Sequence, residues 1–256
     1  MEDLKAKLGF RNFHLMGKRL LLGMLLILPF LAPAQLKEEK PATAAVVVGV
    51  LGHSFGFGLD LRYMAFRGDY DYIFGLSFSS YKNPKELKVA SAYADQGGKN
   101  FIFDKLNYGY VLAPTFGISR KIIPRKDHNR IGVSVGLSGG PIFALLKPYY
   151  LQIAVPFGGN QAVVEVEPYS PFAHNYTNIY GVADYFLGMD QIKVMPGARL
   201  KLASMVDFSA GSAYIRGVEL GMYADYFSKK LPLLGFTPNR QFFLGGSIEI
   251  LIGNTW

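Results

Sequence analysis

Four histidines, His14, His53, His128 and His174, are the side chains best suited to general-base chemistry near neutral pH. Hydrolysis or acyl transfer needs such a base beside a nucleophile and oriented by a third group. His53 stands next to Ser54, but adjacent residues of a strand point to opposite faces, so the dipeptide makes a poor dyad. His14 falls in an N-terminal leader, His128 in the basic stretch "PRKDHNR" and His174 in a long aromatic segment. No G-x-S-x-G, H-E-x-x-H or phosphate-binding loop occurs, and the glycine pairs of "FGGN", "GGK" and "SGG" stand alone. The absence of cysteine removes disulfides, thiolate metal sites, a cysteine nucleophile and a lipidated-cysteine anchor. No catalytic residue, metal site or cofactor is assigned.

A second constellation is made of charges. Asp60, Arg62, Asp71, Lys105, Arg199, Lys201, Asp207, Glu219, Asp225 and Glu249 fall in the small or polar rows of alternating segments. They comprise four cations and six anions. A lining of one sign would favour an ion path. Mixed signs on adjoining strands favour a neutralised plug, because an unpaired buried charge costs several kcal/mol. Arg199 and Lys201 are expected beside Glu219 and Asp225, and Glu249 within reach of cations such as Arg62. A narrow ion or small-solute channel is the alternative.

These charges need strands to hold them. Phe55, Phe57, Leu59, Leu61 and Tyr63 alternate with Gly56, Gly58, Asp60 and Arg62. Tyr70, Tyr72, Phe74, Leu76 and Phe78 alternate with Asp71, Ile73, Gly75, Ser77 and Ser79, and Val218 to Tyr226 alternates with Glu219 to Asp225 in the same way. The final stretch "QFFLGGSIEILIGNTW" sets Ile248, Ile250, Ile252 and Trp256 against Ser247 and Glu249. The runs are longer than soluble strands, which average about 5–6 residues. Their polar rows are rich in Gly and Ser, which suits a crowded barrel interior better than a solvated face. Eight strands are expected near 44–51, 55–66, 70–82, 101–122, 131–149, 192–208, 215–229 and 241–256. The even count returns both ends to one side. Connections at Arg67–Asp69, Pro124–Arg130 and Ser209–Tyr214 are then short and Asn83–Asn100, Tyr150–Gln191 and Leu231–Arg240 on the other side long, with only the short outer turn Gly52–Ser54 breaking the pattern. A single strand over Val46–Phe66 would spoil this parity. The "RGD" at Arg67–Asp69 falls in a short turn on the side of the termini.

The chain has 256 residues, half of them hydrophobic, 14% aromatic and 18% charged. "MGKRLLLGMLLILPFLAPAQ" has a basic start, an apolar run and small residues at Ala32 and Ala34, the features of a secretory signal cleaved near Ala34/Gln35. Residues 1–34 are read as the signal peptide, with Met16 as a possible true start, 35–43 as a short periplasmic segment and 44–256 as the barrel. The leader holds part of the net charge of +8, and the remainder is too mild to argue for nucleic acid.

These features resemble the small eight-stranded outer-membrane barrels of the OmpA/OmpX type, most of all the PorT-like barrels associated with type IX secretion. The resemblance rests on the signal peptide, the eight alternating runs and the closing "SIEILIGNTW". It implies an integral outer-membrane protein, and the last row, Ile248, Ile250, Ile252 and Trp256, resembles the insertion signal that the barrel-assembly machinery reads. It implies a non-enzymatic accessory or structural subunit of a secretion or barrel-assembly complex. Some barrels of this size are lipid A hydrolases or acyltransferases, which keeps a lipid A-modifying enzyme as a further alternative.

The segment Tyr150–Gln191 has no Lys or Arg and is crowded with aromatics: Tyr150, Phe157, Tyr169, Phe172, Tyr176, Tyr180, Tyr185 and Phe186. An unstructured solvated loop would not be so aromatic. Within it "QAVVEVE" alternates like a strand of a hairpin. These residues are the expected partner-binding loop, facing other outer-membrane or envelope proteins; a lid folded over the barrel mouth and a glycan-binding surface are the alternatives. Lys82, Lys85, Lys88 and Lys99 of the preceding loop suit the phosphates of lipopolysaccharide.

Overall fold

The structure is a computed structural model and describes residues 42–123, 131–156, 162–209 and 214–256. The expected leader, most of the segment 35–43, His128 and Phe157 lie outside the described residues. Thirteen strands are described: β1 Ala44–His53, β2 Gly56–Arg67, β3 Tyr70–Tyr81, β4 Lys88–Val89, β5 Phe101–Ile102, β6 Asn107–Ile123, β7 Gly132–Pro148, β8 Tyr150–Pro156, β9 Ala162–Pro168, β10 Ile179–Val182, β11 Lys193–Asp207, β12 Tyr214–Phe227 and β13 Phe242–Thr255. Eight of them close in the order β1-β13-β12-β11-β7-β6-β3-β2, every pair antiparallel. The expected all-β class and closed eight-stranded antiparallel barrel are therefore present. β1 and β2 are separate strands that meet at His53↔Gly56, so 44–66 is a hairpin rather than one strand.

The alternation sets the two faces. In the outward row, Val50 is 60% exposed, Leu59 60%, Leu220 59% and Ile250 58%, and the same belt continues around every barrel strand. Such a belt requires an apolar surrounding, and a closed barrel is one of two backbone arrangements that leave no unpaired edge in a bilayer. Near the turn end an outward aromatic chain links Trp256 to Tyr63, with ring centroids 6.3 Å apart, and Tyr63 to Phe74 and Phe116. Trp256 also closes the wall by its backbone: its carbonyl accepts the N–H groups of Thr43 and Ala44, and its N–H donates to Ala44. The β6–β7 ladder shifts register between Lys121 and Ile123 and is interrupted higher up. Between Leu112↔Phe143 and Phe116↔Gly139 no pair forms, because the register sets Pro114 against Pro141 and neither has an N–H to donate.

The inward row is filled in layers. At the turn end Ala45, Val47, Met64, Met205, Ile215 and Leu251 cluster with Phe66 and Ile73. At the loop end a larger cluster gathers Phe55, Tyr81, Ile142, Tyr223, Phe227, Leu231, Leu233 and Phe243. Phe55 is thus a correction to the expected outward row: it sits in the tight β1–β2 turn and swings into the barrel mouth, T-shaped against Phe243 at 5.2 Å. The fourth barrel strand also starts later than expected. Asp104 adopts φ +65°, a left-handed conformation that Asp tolerates. It breaks the run 101–122 into β5 and β6.

If the outward belt meets hydrocarbon, Ile250→Arg should cost about 2–4 kcal/mol of folding stability in lipid vesicles. Phe172→Arg on the loop end should stay within about 0.5 kcal/mol. Urea titrations followed by heat-modifiable gel migration check both.

Candidate functional site: the lumen and the loop-end cap

The charged side chains are positioned by period-two alternation on β2, β3, β11, β12 and β13, and all nine that lie on barrel strands face inward or line the lumen mouths. Arg62 is central. Its Nη1 donates to Glu219 Oε2 at 2.6 Å and its Nη2 to Glu219 Oε1 at 3.0 Å. The same guanidinium bonds Asp60 through Nε and Glu249 through Nη2. Lys201 Nζ donates to Glu219 at 2.7 Å and to Glu249. Two cations therefore serve three carboxylates. Glu219 and Glu249 are direct cross-strand partners, a repulsive arrangement that the shared cations offset.

A second group lies toward the loop end. Arg199 grips Asp225 through Nε and Nη2, both at 2.7 Å, and the Tyr81 hydroxyl donates to the same carboxylate. The guanidinium also lies 5.1 Å from the Tyr223 ring centre. Tyr223 donates its hydroxyl to His53 Nδ1 at 2.9 Å, which also accepts the Phe55 N–H. A third pair, Lys121 Nζ with Asp71 Oδ1 at 3.0 Å, sits at the turn end, and Asp207 borders the opening there. Tyr81 and Tyr223 are not among the lumen residues expected from the sequence, although they stand in the same inward rows as Asp71 and Glu219, and His53 is weighed there only as a base for Ser54. Counting only charges missed them.

Between the layers lies a chamber of about 50 Å³, lined among others by Ser77, Thr115, Ser138 and Ser247. That is room for little more than a water or two. An opening of about 370 Å³ bordered by Met64, Phe66, Asp71, Lys121, Met205 and Asp207 faces the turn end. The loop-end cluster stops the lumen above. His53 and Ser54 part where β1 ends: His53, the last residue of β1, enters the lumen network, while Ser54 in the turn is exposed and its Oγ donates to Gly246 O. Among the described residues, no group of three His, Cys, Asp or Glu side chains is placed to hold a metal ion.

Lys105 needs correcting. It lies outside the barrel strands, in the loop after Asp104, bridges to Leu234 and is salt-bridged to Glu86. Burial holds its ammonium below the ordinary lysine pKa, with Glu86 opposing. Lys105 and Lys147 each sit 4.7 Å from the Tyr108 ring centre, and Lys147 donates to the carbonyls of Tyr185 and Leu187. These contacts fasten the loops to the barrel rim.

Above the rim, β10, β8 and β9 form a three-stranded sheet in that order. Its core is Phe101, Tyr149, Leu151, Ile153, Tyr169 and Ile179. The neighbouring loop is stitched on by Tyr176 Oη to Ala90 O at 2.9 Å, Tyr180 Oη to Gln96 O at 2.6 Å and Ser91 Oγ to Ile179 O at 3.0 Å. The expected partner-facing aromatics therefore divide. Tyr169 is buried in the cap core, and burial pushes its phenol up to about 12. It offers no surface to a partner. Tyr150 is half-buried and donates to Gln191, and Tyr180 on β10 is half-buried against the neighbouring loop. Phe172 at 98% exposed and Phe186 at 73% stand clear, with Tyr176 and Tyr185 beside solvent. Lys82, Lys85, Lys88 and Lys99 are all exposed.

No protein-family model matches the chain, and no curated protein matches it. Among solved structures it is similar to Neisserial surface protein A (NspA), at 7% identity and TM-score 0.43 over 83% of this chain and 96% of that one. It is similar to the N-terminal β-barrel domain of Pseudomonas aeruginosa OprF, at 8% identity and TM-score 0.37 over 83% and 97%. A third likeness is to Ail, the attachment invasion locus protein of Yersinia pestis, solved in complex with the heparin analogue sucrose octasulfate, at 8% identity and TM-score 0.36 over 84% and 97%. At these identities and scores the likenesses carry no argument about activity or ligand.

Removing Arg62 leaves three buried carboxylates on one lysine. Arg62→Met should cost about 3–5 kcal/mol. Combining it with Asp60→Asn and Glu219→Gln leaves the Lys201–Glu249 pair balanced and should recover most of that loss. Urea midpoints of the vesicle-inserted variants measure both, and a single variant as stable as the parent would contradict the reading of the network.

Proposed function

We propose that the chain is an integral outer-membrane barrel with a closed polar lumen that acts as a non-enzymatic accessory subunit of an envelope assembly. Its working surface is the loop-end cap. The observation that carries this reading is the cap itself: a hydrogen-bonded three-stranded sheet with its own apolar core that nevertheless holds Phe172 almost fully in solvent and Phe186 largely so. Ordered, exposed aromatics are a feature of protein interfaces. The lumen supports the same reading, since its charges are consumed by internal pairs and its mouth is filled by Phe55, Phe227, Leu231 and Phe243. The resemblance of the sequence to PorT-like barrels makes a secretion or barrel-assembly complex the favoured setting. The exposed lysines Lys82, Lys85, Lys88 and Lys99 suit lipopolysaccharide phosphates around the rim.

Mild-detergent purification from native membranes tests the proposal. Wild-type protein should bring down envelope proteins, and Phe172→Ser with Phe186→Ser should lower their recovery about tenfold or more while heat-modifiable migration stays unchanged. A chain that purifies alone, or a double variant that captures the same proteins, would refute it.

A further inference from the structure

The two edges of the cap sheet differ. The β10 edge is covered, because Ser91, Gln96 and Tyr176 tie the loop 90–102 to it or beside it. The β9 edge is not. β9 ends the order β10-β8-β9, so one of its two rows of N–H and C=O groups meets no strand among the described residues. Every described side chain of β9 from Val163 to Pro168 is exposed. An open, valine-rich edge is a template for another strand.

The residues on this edge select what can add to it. Register with β8 places Val163, Glu165 and Glu167 on one face, opposite Val155, Ile153 and Leu151, and Val164 and Val166 on the other. Glu167 is bonded by His174, whose Nδ1 accepts the Ser170 N–H so that Nε2 donates to the carboxylate at 3.2 Å. Glu165 meets no cation among the described residues. The whole segment 150–191 contains no Lys or Arg. A second copy is a poor occupant, because antiparallel pairing of Val163–Glu167 with itself sets Glu165 directly against Glu165, which is unfavourable. A strand bearing cations at alternate positions has no such conflict.

We infer that the β9 edge binds an extended segment of a partner polypeptide by strand addition, with Lys or Arg at alternate positions against Glu165 and Glu167 and apolar residues against Val164 and Val166. Main-chain hydrogen bonds supply the attachment and the two faces supply the choice of sequence. This rests on the reading of the cap as a partner surface and narrows it to one edge and one class of ligand.

The probe is a capped peptide of alternating lysine and valine, with fluorescence anisotropy against the full chain in detergent and a protein-free micelle blank. Three results are expected. The peptide binds. N-methylation of its alternate backbone nitrogens weakens binding about tenfold or more. Glu165→Lys with Glu167→Lys weakens it about tenfold or more and transfers the preference to a glutamate–valine peptide. Equal binding of the N-methylated peptide overturns strand addition, and indifference to the charge reversal overturns the site. A stable dimer in light scattering that excludes the peptide assigns the edge to a second copy and also overturns the inference. The two proposals fail separately. If partners depend on Phe172 and Phe186 but not on Glu165 and Glu167, only this inference falls. If the peptide binds as described but membranes yield no partner, only the accessory role falls.

Discussion

The Arg62 guanidinium joins three strands at once. It reaches Asp60 on its own strand, Glu219 on β12 and Glu249 on β13. β12 and β13 are neighbours with those two glutamates face to face, and β13 closes the barrel against β1 beside them, at Leu51↔Glu249. An eight-stranded barrel is just wide enough for its side chains to fill. Carboxylates inside it cannot draw on bulk water and must be met by fixed cations. The seam of the barrel therefore depends on a charge network as much as on backbone hydrogen bonds.

The rest of the interior follows from that layer. Charges so confined are best screened from both openings, and apolar clusters lie toward each: Val47, Met64, Met205 and Leu251 on one side, Phe55, Phe227, Leu231 and Phe243 on the other. Arg199, Asp225, Tyr81 and Tyr223 extend the polar network into the upper cluster. The interior is given over to its own neutralisation, while the loops, through β8, β9 and β10, build a second small core above the rim.

Much of this was legible from alternation. The inward rows of β2, β11, β12 and β13 were readable because each strand keeps strict period two, so the placements of Arg62, Lys201, Glu219 and Glu249 needed only the register. The pairing of Arg199 with Asp225 followed because β11 and β12 are consecutive. Lys105 was misplaced because one residue, Asp104, takes a left-handed conformation that no periodicity signals. Phe55 was misplaced because the β1–β2 turn is so tight that the first apolar residue after it belongs to the mouth. The cap was the least legible part. "QAVVEVE" announced a strand, but the order β10-β8-β9 and the burial of Tyr169 depend on contacts between segments far apart in the chain, which composition does not encode.

The account turns on a lumen closed by its own side chains. Planar-bilayer recording of the purified, refolded protein tests this most directly. The structure predicts a membrane that stays electrically silent after insertion of folded barrel, apart from brief irregular leakage. Steady, uniform open-channel currents from the folded protein would contradict it and would turn the charged layer from a lock into a conduction path.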